Sequence, residues 1–144
     1  MKLLKTSKIL LVFALIFSLL LGVFYVYFVG GYKKHYKLVK SVCNTYNVEF
    51  TLALAVMKTE SNFKSDAVSS KGAIGLMQVT QKTAEYVANL YDIKGEIALK
   101  NQATNTLIGV CYLDYLSSKF TDKNAVICAY NAGETRVKGW LDFN

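Results

Sequence analysis

"KTESNFKSDAVSSKGAIGLMQVT", Lys58 to Thr80, sets one carboxylate, Glu60, at the end of an apolar helical run and follows it with a loop dense in small residues. The run before it, from about Thr51 to Asn62, carries Leu52, Ala55, Val56 and Thr59 on one stripe, which is the spacing of an amphipathic helix. At about 100° per residue, Glu60 lies about 40° round from Val56 and about 80° from Leu52, on the buried edge of that stripe. Burial disfavours the ionised carboxyl and raises its pKa, as a general acid working near neutral pH requires. Two plainer readings stand beside this one: Glu60 is exposed at a fraying helix end, or it accepts hydrogen bonds from the backbone of the loop.

The loop has a chemistry of its own. Gly72 and Gly75 let the backbone come close to a partner, and "GLMQ" sets Met77, a flexible apolar surface, beside Gln78, an amide that both donates and accepts. Ala67, Val68, Ala73 and Ile74 can pin the loop to a core. A third segment, "AYNAGETRV", places Tyr130 and Asn131 at a predicted helix end, where an aromatic face beside an amide can receive a sugar ring. Each segment alone also fits a bland role: a turn between helices, a core methionine, a helix cap with a buried tyrosine.

The remaining pattern is helical. "HYKLVKSVCNTYN" spaces Leu38, Val39, Val42, Cys43 and Tyr46 as one helical face. Thr80 can cap a helix whose inner face is Ala84, Val87, Ala88 and Tyr91. A long helix is predicted from about Gln102 to Lys119, with Leu107, Ile108, Cys111 and Tyr115; its interior Gly109 costs roughly 1 kcal/mol against Ala and points to close packing. Asp122 or Thr121 can cap "KNAVICAYNA", Gly133 can end it, and "ETRVKGWL" forms a last short helix. Alternating strand patterns are absent, so the expected class is all-α.

From Ile9 to Val29 the chain reads ILLVFALIFSLLLGVFYVYFV, which as a helix covers roughly 30 Å, the hydrocarbon thickness of a bilayer. Lys2, Lys5 and Lys8 precede it, but no small-residue cleavage site follows, so an uncleaved transmembrane anchor is expected rather than a secretion signal. Residues 1–32 are assigned to this anchor and its flanks, and 33–144 to the domain. Lys33, Lys34 and Lys37 balance the leading lysines, so charge alone does not orient the span. The net charge of +7 leaves a mildly basic domain suited to an anionic wall polymer or simply to solvent. No basic run interleaved with aromatics suggests nucleic acid. Cys43, Cys111 and Cys128 sit in apolar helical contexts and read as buried free thiols; with one His and no C-x-x-C, no metal or other cofactor is expected.

Taken in order, "ESNFKSDAVSSKGAIGLMQV" (Glu60 to Val79), "NTLIGVCYL" (Asn105 to Leu113) and "AYNAGETRVKGW" (Ala129 to Trp140) resemble the soluble lytic transglycosylase (SLT) catalytic domain over roughly residues 35–142. This lysozyme-like family includes goose-type lysozymes. The resemblance implies a helical lysozyme-like domain that cleaves the β-1,4 bond between N-acetylmuramic acid and N-acetylglucosamine in peptidoglycan. It makes Glu60 the sole acid/base, which protonates the leaving oxygen and then deprotonates the 6-hydroxyl to give a 1,6-anhydro end. It implies that Ser69 and Gln78 hold the acetamido or neighbouring groups, that Gly75 and Met77 belong to the substrate-binding loop, and that Tyr130 and Asn131 line the cleft.

Most glycosidases use two carboxylates, whereas Asp66, Glu85 and Asp114 stand in no motif opposite Glu60. Two departures accompany the resemblance: Gln81 stands where the family usually has proline, and the chain stops at Asn144 before the family's usual C-terminal helix. A wall substrate implies an anchor with its N-terminus inside and a domain outside, in the cytoplasmic membrane of a bacterium, serving an unidentified envelope process. A goose-lysozyme-like hydrolase and an inactive wall-binding or scaffold module are the alternatives.

Overall fold

Among the described residues the backbone forms six α-helices: α1 (Lys2–Thr45), α2 (Phe50–Ser61), α3 (Gln81–Leu90), α4 (Gln102–Lys119), α5 (Lys123–Ala132) and α6 (Glu134–Asp142). The computed structural model describes the backbone of residues 2–142, and the side chains of residues 8, 10–26 and 33–142. In place of strands there are two isolated bridges, Val68 with Ile74 and Ile74 with Val79. The all-α expectation therefore holds for the described chain.

Two units divide the chain, Met1–His35 and Tyr36–Asn144. In the first, the apolar side chains of α1 from Leu10 to Val26 are exposed, and the Ser18 hydroxyl bonds back to the Leu15 carbonyl at 2.9 Å. No helix among the described residues is long and apolar enough to cross a membrane. The predicted span Ile9–Val29 also takes in the side chains of Ile9 and of 27–29, which lie outside the described residues. Where the sequence suggested a separate helix after the apolar stretch, α1 runs unbroken to Thr45. Gly30 and Gly31 each weaken a helix by roughly 1 kcal/mol, but neither removes a backbone donor as proline does.

In the second unit α4 is the central rod. It buries Asn105, Thr106, Ile108, Gly109, Val110, Cys111, Leu113 and Leu116, positions spread around most of its circumference, as expected of a helix surrounded by protein. α3 and α5 pack against it with single faces (Ala84, Val87 and Ala88; Ala125, Val126 and Ala129), and α6 packs on α5. Met57 of α2 and Leu76 and Met77 of the following loop are fully buried in the same core.

The helix ends follow side-chain chemistry. Asn101 accepts from the Ala103 and Thr104 amides at 2.9 and 3.2 Å, Thr80 from Thr83 at 3.2 Å, and Asp122 from Asn124 at 3.2 Å. Gly133 ends α5 at φ 91°, its amide returning to the Ala129 carbonyl at 2.9 Å. Two expectations are corrected. Tyr91 lies just past the end of α3 rather than on its inner face. Cys128 is exposed, because it sits about 100° round from the stripe made by Ala125, Val126 and Ala129.

Candidate active site

α2 stops abruptly because Asn62 and Phe63 both turn left-handed, at φ 50° and 63°. Their amides close back on the carbonyls of Lys58 and Met57 at 3.1 and 3.4 Å. Glu60 is thereby held in the last helical turn, half-buried. The neighbouring Ser61 points into the core, where its hydroxyl donates to the Leu76 carbonyl at 2.8 Å and lies 3.2 Å from that of Met57. The residue beside the acid thus staples the far end of the loop to the helix.

The loop returns along its own hydrogen bonds. Ser69 closes a tight turn: its amide donates to the Ala73 carbonyl at 2.9 Å and its Oγ accepts from the Ala73 amide at 3.0 Å. Ile74 and Val79 exchange two backbone bonds of 3.0 Å, and the Gly75 amide donates to Ala67 at 2.8 Å. Asn105 of α4 clamps the turn from below, accepting the Met77 amide at 2.9 Å and donating to the carbonyls of Ile74 and Leu99 at 2.8 and 3.1 Å. Gly75 sits at φ 79°, and a Cβ there would lie 2.5 Å from Asn105 Nδ2, so the clamp requires glycine.

These contacts enclose a cleft of about 400 Å³. Glu60 from α2, Ser69 and Gln78 from the loop, and Tyr130 and Asn131 from the end of α5 all line it. Gly75 and Met77, expected at the substrate, do not reach it. Both are buried under the loop, Met77 fully so against Gly109 and Gly75 against Asn105, which makes them supports for the wall rather than its surface. The donor expected of Gln78 is also engaged: Nε2 donates to the carbonyls of Gly75 and Ala67 at 3.0 and 3.2 Å, leaving Oε1 as its group for a ligand.

Lys71, Thr80, Thr83 and Tyr112 also line the cleft, with Ala73, Val79, Ala132 and Gly133, and the sequence reading assigns none of them to it. Tyr112 lies on a helix buried nearly all round, where periodicity does not single out one position, and for Lys71 the loop offers no periodicity to read.

Glu60 is the one carboxylate among the described residues lining the cleft. Burial pushes its pKa above the ordinary glutamate value. The negative end of the α2 dipole acts in the same direction. Tyr130 donates its hydroxyl to the Met77 carbonyl at 2.8 Å, and burial, reinforced by the nearby charge of Glu60, drives its pKa far above the phenol range. It is a neutral strut between α5 and the loop. Asp114 is engaged elsewhere, accepting the Tyr91 hydroxyl at 2.7 Å, and Asp66 is exposed outside the cleft.

A half-buried acid facing saccharide-sized space, with amides and hydroxyls around it, is equipped for proton transfer to a glycosidic oxygen. The membrane-bound lytic murein transglycosylase C of Histophilus somni is 35% identical over 117 residues, covering 73% of this chain and 32% of the relative. The chain spans about a third of the length of that protein. The crystal structure of the 70 kDa soluble lytic transglycosylase of Escherichia coli superposes with a TM-score of 0.71 at 31% identity, covering 75% of this chain and 18% of the other. That of an inactive glutamate-to-glutamine mutant of the lytic transglycosylase Slt from Pseudomonas aeruginosa superposes with a TM-score of 0.70 at 30% identity, covering 74% and 18%. The description "Transglycosylase SLT domain" matches residues 37–144, and the chain belongs to that family.

Proposed function

We propose that this protein is a membrane-tethered peptidoglycan lytic transglycosylase, with Glu60 as its only catalytic carboxylate. The observation that carries this reading is the solitary, half-buried Glu60 with its raised pKa, in a cleft whose other described lining groups are neutral except for Lys71. The protonated carboxyl gives its proton to the oxygen between N-acetylmuramic acid and N-acetylglucosamine as the bond to C1 breaks. The resulting carboxylate takes the proton of the 6-hydroxyl on the same muramic acid while that oxygen bonds to C1. No water is consumed, and the acid is restored for the next turnover. Most inverting and retaining hydrolases use a second carboxylate to activate water or bond the sugar, so its absence from the described lining favours the intramolecular hydroxyl.

Gln78 Oε1 would accept from an acetamido N–H, the Ser69 hydroxyl and Asn131 would bond neighbouring groups, and Tyr130 would pack beside the ring. The exposed apolar row of α1, together with the predicted span Ile9–Val29, supports tethering, and a wall substrate would require the domain to face outward. Mass spectrometry of products from purified cell wall tests the reading. Wild-type protein should release anhydro-muropeptides and Glu60→Gln none; products heavier by one water would replace it with hydrolysis, and release undiminished in Glu60→Gln would overturn it.

A further inference from the structure

The segment "AYNAGETRV" sends Tyr130 and Asn131 to the cleft, whereas its acid, Glu134, does not line it. Glu134 opens α6, directly after the Gly133 that ends α5 at φ 91°. A carboxylate is favoured there by the positive end of the α6 dipole. Both its oxygens are engaged: Oε2 accepts the Tyr115 hydroxyl at 2.5 Å, and Oε1 pairs with Lys138 one turn along α6. Lys138 and the Tyr115 hydroxyl together hold the Glu134 carboxyl below the ordinary glutamate value, so it is ionised at neutral pH. The two bonds differ in worth. Lys138 is half exposed, and a surface ion pair of this kind contributes little, whereas the part-buried bond to Tyr115 is short and charge-assisted.

Tyr115 leads from Glu134 to the cleft. It lies three residues beyond Tyr112 on one face of α4, and the two rings stack at 6.3 Å and 12°. Tyr112 lines the cleft at Glu60 and lies 5.3 Å from Tyr130. Tyr130 in turn donates its hydroxyl to the Met77 carbonyl at 2.8 Å. Asn131, Ala132 and Gly133, which line the cleft in series, are therefore pinned at both ends by a tyrosine hydroxyl: at Tyr130 by its own, and at Glu134 by that of Tyr115.

We propose that Glu134 is a positioning residue for the reaction: through Tyr115 it holds the cleft lip at 131–133 and the ring of Tyr112 in place, without touching substrate itself. The proposal rests on the reading of the Glu60 cleft as a glycan site. Tyr130 keeps its Met77 bond and Glu60 its place in α2 whatever stands at 134, so the loss falls on binding rather than on proton transfer.

The test uses the full chain in detergent micelles with peptide-free glycan octasaccharides. Glu134→Ala removes the acceptor, and Tyr115→Phe removes the donor while leaving the ring stack. Each should raise KM about fivefold with kcat within about twofold of wild type, and the double variant should be no worse than either alone. Glu134→Gln keeps an oxygen for the Tyr115 hydroxyl and should stay near wild type in KM. Asn101→Ala, which removes a helix cap outside the cleft, should lower Tm with KM unchanged, and so separates positioning from loss of stability. Hydrogen exchange at the amides of 131–133 reads the pin without substrate, and should quicken in Glu134→Ala and Tyr115→Phe but not in Glu134→Gln. Exchange or KM unmoved by Glu134→Ala and Tyr115→Phe, additive effects in the double variant, or Glu134→Gln as impaired as Glu134→Ala, overturns the proposal. A wild-type chain that neither cuts nor binds the octasaccharide, while exchange at 131–133 still follows Glu134, overturns the glycan reading of the cleft, and the part of Glu134 in the reaction with it.

Discussion

Replacing Asn105 by alanine should unfasten the catalytic loop, and the cost can be worked out bond by bond. The side chain makes three hydrogen bonds, two of them buried, to the Met77 amide and the Leu99 carbonyl, and one part-buried, to the Ile74 carbonyl. The Ile74 carbonyl keeps its bond from the Val79 amide at 3.0 Å and is not orphaned. The Met77 amide and the Leu99 carbonyl are left buried without that partner, at about 1–3 kcal/mol each, so the expected loss is about 4 kcal/mol. For a domain of this size that is a large part of the total stability and should lower Tm by about 15–20 °C. Asn101→Ala serves as the reference, since it removes a helix cap at the exposed start of the same helix and should cost about 1 kcal/mol. Urea denaturation followed by circular dichroism, with hydrogen exchange at the Met77 amide, measures both effects. A loss in Asn105→Ala no greater than in Asn101→Ala, with Met77 still protected, would refute the assignment of Asn105 as the clamp.

The raised pKa of Glu60 has a definite sign in stability. Below the ordinary glutamate range the carboxyl is protonated whether folded or unfolded. As pH rises past that value the unfolded chain ionises first, so stability falls until the raised folded pKa is passed. Glu60→Gln should therefore have the higher Tm at neutral pH, with the difference vanishing in acid, while wild-type turnover declines on the alkaline side as the proton is lost. Gly109→Ala should lose about 1 kcal/mol net in urea denaturation despite better helix propensity, because the new Cβ meets Met77 Sδ and lies 2.7 Å from Met77 Cβ. Its kcat should fall further than its stability, because the Met77 carbonyl holds Tyr130. Burial pushes the thiols of Cys43 and Cys111 up to about 11, whereas Cys128 is exposed, so maleimide at neutral pH should label the folded chain once, at Cys128, and all three thiols after denaturation.

The helices were legible because caps and apolar period agree along them. α4 runs from Gln102 to Lys119 as its pattern predicts, and Thr80, Asp122 and Gly133 punctuate their helices as their chemistry demands. Glu60 was legible too, since an angular offset from Val56 and Leu52 places it on a helix edge without reference to the rest of the fold. The loop was harder. Gly75 and Met77 sit in the same tetrad-rich stretch as Gln78, and only the Asn105 clamp decides that they turn inward while Gln78 lines the cleft. That clamp joins residues far apart in the chain, so no local pattern announces it. Tyr112 escaped for a related reason: its helix is buried nearly all round, and periodicity cannot say which apolar position borders a cavity.

Ser61 and Tyr130 together divide the cleft into unequal walls. On the loop side, Ser61, Asn105 and Tyr130 tie the backbone at Leu76 and Met77 to three different helices, while the wall across the way ends at Asn131, Ala132 and Gly133, where α5 gives way to α6. A bulky inhibitor that presses on the loop must break buried bonds and displace the acid's own neighbour. One that presses toward Gly133 meets open space, since even an added Cβ there would touch nothing within 4 Å, so selectivity in inhibitor design belongs on the Glu60 side and added bulk beside Gly133.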